Sequence, residues 1–285
     1  MAGLRPDVGE AAADVSSADH RDLHLVATLQ RRHGLRTTDA PPPAIRPPGV
    51  GMGTNPGAGR RREIARLLDI VLPERCASCG AGERIVCSAC LTGLRLLRGP
   101  LCARCGAPTA WPVARCAECF GRRLSFASAR AAATYEGSAR PLVAAWKERG
   151  RRRLARVFAD LVIDVVTRPK VEAMTFVPSD HARGLWRGQN PAETLARLLG
   201  LAWELPVTPL LTRRRQAPPQ RGLPRNERRQ NVRGAFAATT SAQPSVALID
   251  DVYTTGATVG AAATELRRAG ARSIQVVTFA RAVRR

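Results

Sequence analysis

The chain has 285 residues, enough for two modest domains with a buried core. Its formal charge of +22 rests mainly on arginine and points to phosphate-rich or polyanionic partners. No apolar run reaches the ~18 residues of a membrane span, and no basic-then-apolar leader opens the chain, so the expectation is a cytoplasmic protein without membrane insertion.

Residues 1–60 read as a disordered tail. Asp, Ala and Ser crowd its start, and Pro41, Pro42, Pro43, Pro47, Pro48 and Pro56 alternate with glycines further on. Such a segment buries too little apolar surface to offset the entropy of ordering it. The spacing of Ile64, Leu67, Leu68, Val71 and Leu72 then predicts a helix.

All eight cysteines follow within a small domain predicted over 61–124. They form four C-x-x-C pairs: Cys76 with Cys79, Cys87 with Cys90, Cys102 with Cys105, and Cys116 with Cys119. Each pair is a knuckle that can present two thiolates to one tetrahedral metal. Eight thiolates suffice for two structural zinc ions, and the spacing leaves open which knuckles pair. Few large apolar side chains accompany them, so metal binding would supply much of the folding energy, on the order of 10 kcal/mol per site.

Over 125–285 the pattern changes to alternating strands and helices, which predicts an α/β domain with a parallel sheet flanked by helices. A strand is expected over Phe126–Tyr135. Helical periodicity follows over Ala139–Arg149 and over Leu154–Val166, with Lys147 near their junction beside a run of arginines. Met174–Pro178 reads as a buried strand, and the loop Ser179–Asn190, with His181 and Arg187, should open on the crevice at the carboxyl edge of the sheet. A helix is expected over Glu193–Leu199. Residues 213–233 hold eight arginines against one acid, Glu227, and form a long loop suited to gripping phosphate.

The most informative stretch is Ser245–Thr258. The apolar run Val246–Ile249 predicts a strand covered on both faces, ending at Asp250 and Asp251. Thr254, Thr255, Gly256, Ala257 and Thr258 form a small-residue turn, and a helix from Val259 to Ala269 is stopped by Gly270. A helix N-terminus behind such a turn is an anion site, because its first N–H groups lack intrahelical acceptors. The acid pair adds acceptors for sugar hydroxyls, so a phosphorylated ribose fits better than phosphate alone. Ser273–Phe279 reads as the last strand.

The run Ile249–Thr258 resembles the phosphoribosyl-pyrophosphate (PRPP) motif of type I phosphoribosyltransferases. Together with the cysteines, Tyr135, Gly137, Trp146, Lys147 and Gly150, and then Gln220, Leu223, Arg228, Asn231, Ala235 and Phe236, it makes residues 73–282 similar to the ComF/GntX family (competence protein F). The resemblance implies a double zinc ribbon followed by a type I phosphoribosyltransferase-like domain. It also implies a link to competence and to incoming single-stranded DNA. Two stretches depart from the family pattern, Val177-Pro178-Ser179-Asp180 and Arg187-Gly188-Gln189-Asn190-Pro191, both in the loop expected to face the ligand.

Two functions follow as expectations. In the first, Mg²⁺ and PRPP bind at Asp250 and Asp251, Thr254–Thr258 hold the 5′-phosphate, and Lys147, Arg187 and the loop arginines meet the pyrophosphate, for transfer to an acceptor. In the second, the pocket grips single-stranded DNA or a 5′-phosphate without catalysis, as an adaptor for DNA-uptake or recombination proteins.

Overall fold

A computed structural model describes residues 28, 75–82, 84–179, 190–214 and 234–283. The predicted tail over 1–60 (apart from residue 28), the helix over 64–72, the loop with His181 and Arg187, and most of the arginine-rich 213–233 segment lie outside the described residues.

In chain order, α1 (Ser88–Thr92) precedes β1 (Ser128–Thr134), α2 (Ala139–Glu148), α3 (Leu154–Val165), β2 (Ala173–Phe176) and α4 (Pro191–Trp203). Next come β3 (Leu211–Arg213), β4 (Phe236–Ala238), β5 (Ser245–Tyr253), α5 (Ala257–Arg268) and β6 (Ser273–Arg281). Four strands form a sheet in the order β1-β6-β5-β2, every pair parallel, as the alternation of strands and helices predicts. No described helix is long and apolar enough to cross a membrane.

Both faces of the sheet are covered, which is why β5 shows no polar alternation. Ala247 and Ile249 pack with α2, α3 and α4, while Val246 and Leu248 pack with α5 and the β3–β4 hairpin. Phe158 ties the first layer together, edge-on to Trp146 at 5.0 Å and stacked on Phe279 at 3.8 Å.

Three elements differ from expectation. β5 continues past the acid pair to Tyr253, because β6 keeps pairing with it as far as Tyr253 opposite Arg281. Helix α4 begins at Pro191 and runs to Trp203. Its proline occupies the first turn, where no N–H is needed, and Asn190 caps it by accepting from the Ala192 N–H at 3.1 Å. The β3–β4 hairpin has three-residue strands, too short for period-two patterning to be seen in the sequence.

The cysteine-rich segment lies along β1. The Leu97 N–H donates to the Ala132 carbonyl at 2.9 Å, the Thr134 N–H to the Arg95 carbonyl at 2.9 Å, and the Ala129 N–H to the Arg104 carbonyl at 3.0 Å. At Gly106 the approach is close enough that a Cβ would collide with the Ala129 carbonyl oxygen, and its φ of 68° also demands glycine.

Candidate functional site

The cysteines gather into two groups, Cys76, Cys79, Cys87 and Cys90, and Cys102, Cys105, Cys116 and Cys119, with the sulfurs of each group within 4.8 Å of one another. Successive knuckles therefore pair. Sulfur separations of 3.6 Å (Cys79–Cys87), 3.6 Å (Cys102–Cys119) and 3.5 Å (Cys105–Cys116) match the edge of a ZnS₄ tetrahedron, ~3.8 Å for Zn–S bonds of ~2.3 Å. They are far too long for disulfides, and all eight cysteines are free.

The backbone prepares one thiolate in each group. Burial opposes ionisation of Cys76, but N–H groups of Cys79, Cys87 and Ser78 outweigh it and bring the thiol down to about 6. Cys102 is likewise brought to about 6, with Cys105, Cys116 and Arg104 supplying the amides. Burial pushes Cys87 and Cys105 up to about 12, and a divalent cation among them would favour thiolate at all four positions. The donor set and its dimensions fit two structural zinc ions.

The second assembly sits at the carboxyl end of β5. Asp250 and Asp251 are buried, at 9% and 7% exposure. The Asp251 N–H donates to Asp250 Oδ1 at 2.9 Å. Lys147, on the last turn of α2, places Nζ 2.6 Å from Asp251 Oδ2. Burial works to lower the Lys147 pKa, yet the charges of Asp251 and Asp250 raise it, so the ammonium persists. The sequence points Lys147 at pyrophosphate; the structure pairs it with the acids.

Beyond Asp251 the chain turns through Thr254, which is exposed, and Thr255, which is buried, into α5. Gly256 is the N-cap with φ 74°, and a Cβ there would stand 2.5 Å from Tyr253 Oη, so glycine is required both by conformation and by space. No side chain caps α5, and the first helical bond runs from the Gly260 N–H to the Gly256 carbonyl at 2.8 Å. The amides of Thr258 and Val259 thus open the helix toward an anion, and the Ala257 N–H is held by Thr255 Oγ1 at 3.3 Å.

Asp250 carries a pH signature. Burial and then the Asp251 charge push its carboxyl up to about 7, while Lys147, the Asp251 N–H and Arg213 pull it back. Its folded pKa thus exceeds the unfolded value of 3.8, the folded chain holds an extra proton in between, and stability falls as pH rises through that window. Asp250→Asn can keep the hydrogen bond from Asp251 and abolishes this loss. Its Tm should exceed that of the wild type at pH 8 by about 2–4 °C, the change that ~1 kcal/mol produces in a chain of this size. Calorimetry at pH 4 should show the difference closing, and an equal difference at both pH values would refute the assignment.

Several residues at this site carried no sequence signal. Arg122 donates from Nη2 to the Thr255 carbonyl at 2.8 Å. Arg281, with a side chain 1% exposed, reaches Glu118 Oε2 at 2.8 Å, hydrogen-bonds the Cys105 carbonyl and lies over the Tyr253 ring, 5.1 Å from its centroid. Among so many arginines, no local pattern marks these two.

Two four-thiolate ribbons on a helix-flanked parallel sheet, with an acid pair and an open helix N-terminus at one strand end, define a zinc-ribbon protein with a parallel α/β domain. Residues 67–120 match the double zinc ribbon domain. Competence protein F of Haemophilus influenzae is 30% identical over 224 residues, covering 73% of this chain and 97% of its own. The DNA utilization protein YhgH of Salmonella typhi is 30% identical over 67% of this chain and 88% of its own, and that of Escherichia coli K12 is 26% identical over 73% and 96%. The chain belongs to the ComF family. Among solved structures, glutamine PRPP amidotransferase from Bacillus subtilis, complexed with ADP and GMP, overlays at TM-score 0.30 with 22% identity, over 45% of this chain and 26% of that one.

Proposed function

We propose that the chain binds a Mg²⁺-phosphoribosyl ligand of the PRPP class at the Asp250–Thr258 junction and serves the handling of incoming DNA, the role that the names of its relatives indicate. The observation carrying this reading is the buried acid pair with Lys147 on one side and the uncapped α5 N-terminus on the other. The helix end would receive the 5′-phosphate, Asp250 and Asp251 would accept ribose hydroxyls and hold the cation, and Lys147, beside Asp251, would offer its ammonium to the pyrophosphate. The cation's chemistry would be to neutralise charge on departing pyrophosphate.

Calorimetry of the zinc-loaded chain with Mg²⁺ and PRPP tests this. One ligand should bind per chain, and the Asp250→Asn/Asp251→Asn double variant should bind at least about a hundredfold more weakly, having lost two charge-assisted interactions. A wild type that gives no binding would overturn the reading.

A second reading, a non-catalytic grip on single-stranded DNA, is favoured by Trp111 and Phe120, exposed by 68% and 77% on the second ribbon, where bases could stack. DNA binding that survives the double aspartate variant and falls steeply with salt would support it.

A further inference from the structure

The two ribbons touch different halves of the ligand site. The first packs on α2: Val86, Leu91 and Leu94 share one apolar cluster with Leu142 and Trp146, the neighbour of Lys147. Arg149, just past the end of α2, donates to the Ala77 carbonyl of the first ribbon at 2.9 Å and to the Pro141 carbonyl at 3.2 Å. The second ribbon packs instead behind the turn into α5. Arg122 holds the Thr255 carbonyl. Arg281 joins Glu118 and the Cys105 carbonyl to the Tyr253 ring. The Tyr253 hydroxyl in turn stands directly under Gly256. Phe126, edge-on to Tyr253 at 6.2 Å, and Leu124, packed against both the second cysteine cluster and the α5 layer, complete that contact.

We infer that the ribbons divide the positioning of the site between them. The first fixes the helix that carries Lys147, the second fixes the phosphate turn Thr254–Thr258, and each cysteine cluster controls its own half. Arg149 and Arg122 are the matched positioning residues. This rests on the phosphoribosyl reading only in calling the two halves one ligand site; the mechanical division stands on the contacts themselves.

The test is hydrogen exchange, by mass spectrometry, of the full zinc-loaded chain without ligand, following peptides over 139–149 and over 251–260. Losing a single anchoring hydrogen bond should ease local opening, so Arg122→Gln should speed exchange in 251–260 by about threefold or more and leave 139–149 unchanged. Arg149→Gln should do the reverse. Lysine at either position, which keeps one donor, should restore most of the protection. Cys116→Ser and Cys79→Ser should repeat the pattern with larger effects, on 251–260 and on 139–149 respectively. The inference is overturned if either arginine variant loosens both peptides equally, or if neither variant loosens its own. Mg²⁺-PRPP calorimetry on the same samples keeps the two ideas apart: a wild type that binds nothing removes the phosphoribosyl reading, while the exchange pattern still decides the division.

Discussion

The chain as purified should carry two zinc ions, and Cys102→Ser should carry one and melt far below the wild type. The second ribbon shows why. Its interior consists of Cys102, Cys105, Ala107 and Cys119, with Val113, Cys116 and Leu124 at its margin. Burying so little apolar surface cannot offset the entropy of ordering a segment of this length. The metal must supply the difference, on the order of 10 kcal/mol per four-thiolate site. Cys102 is wholly buried and accepts the Cys116 N–H at 3.3 Å, so a serine there loses both a metal ligand and the group that organises the knuckle. Metal analysis with thermal unfolding checks this. Two zinc ions retained by the variant, or a Tm within a degree or two of the wild type, would contradict it.

Arg281→Met should cost about 3–5 kcal/mol, the range for breaking a buried ion pair by removing one partner. Glu118, its side chain 9% exposed, would keep a charge with no cation beside it, and the Cys105 carbonyl would lose its donor. The Tyr253 ring would lose the guanidinium over its face. Glu118→Gln/Arg281→Met, which also removes the stranded charge, should recover a substantial part of that loss. Denaturant unfolding of the single and double variants measures both terms. Equal destabilisation by the two would show that the pair contributes nothing beyond packing.

Much of the architecture could be read in advance because period and composition are local. The apolar run of β5 and the spacing of Leu154, Val157, Phe158 and Leu161 each announce an element without reference to the rest of the chain. The acid pair and the Thr-Gly-Ala-Thr turn were legible for the same reason: strand end, turn and helix start are consecutive. What could not be read is what the tertiary fold brings together. Knuckle pairing depends on where the chain returns. The contact of Lys147 with Asp251 spans more than a hundred residues, and Arg122 and Arg281 look like any other arginine in so basic a chain. The length of β5 is hidden in the sequence because two adjacent aspartates suggest a strand end, whereas β6 holds them inside the ladder.

The hydrogen bonds from Leu97 to β1, and from Ala129 and Thr134 of β1 back to Arg104 and Arg95, have a further consequence. Among the described residues β1 is the outermost strand, with β6 on one side and, on the other, the cysteine-rich segment bonded to its backbone at Ala129, Ala132 and Thr134. A bare strand edge of this kind is a template for another chain, and natural proteins take care to block it. Here the block is a pair of metal-dependent modules too small to hold themselves in place. Chelating the zinc should therefore expose the alanine-rich rim of β1 to pairing with a second copy, and light scattering of the chelated chain should report that association.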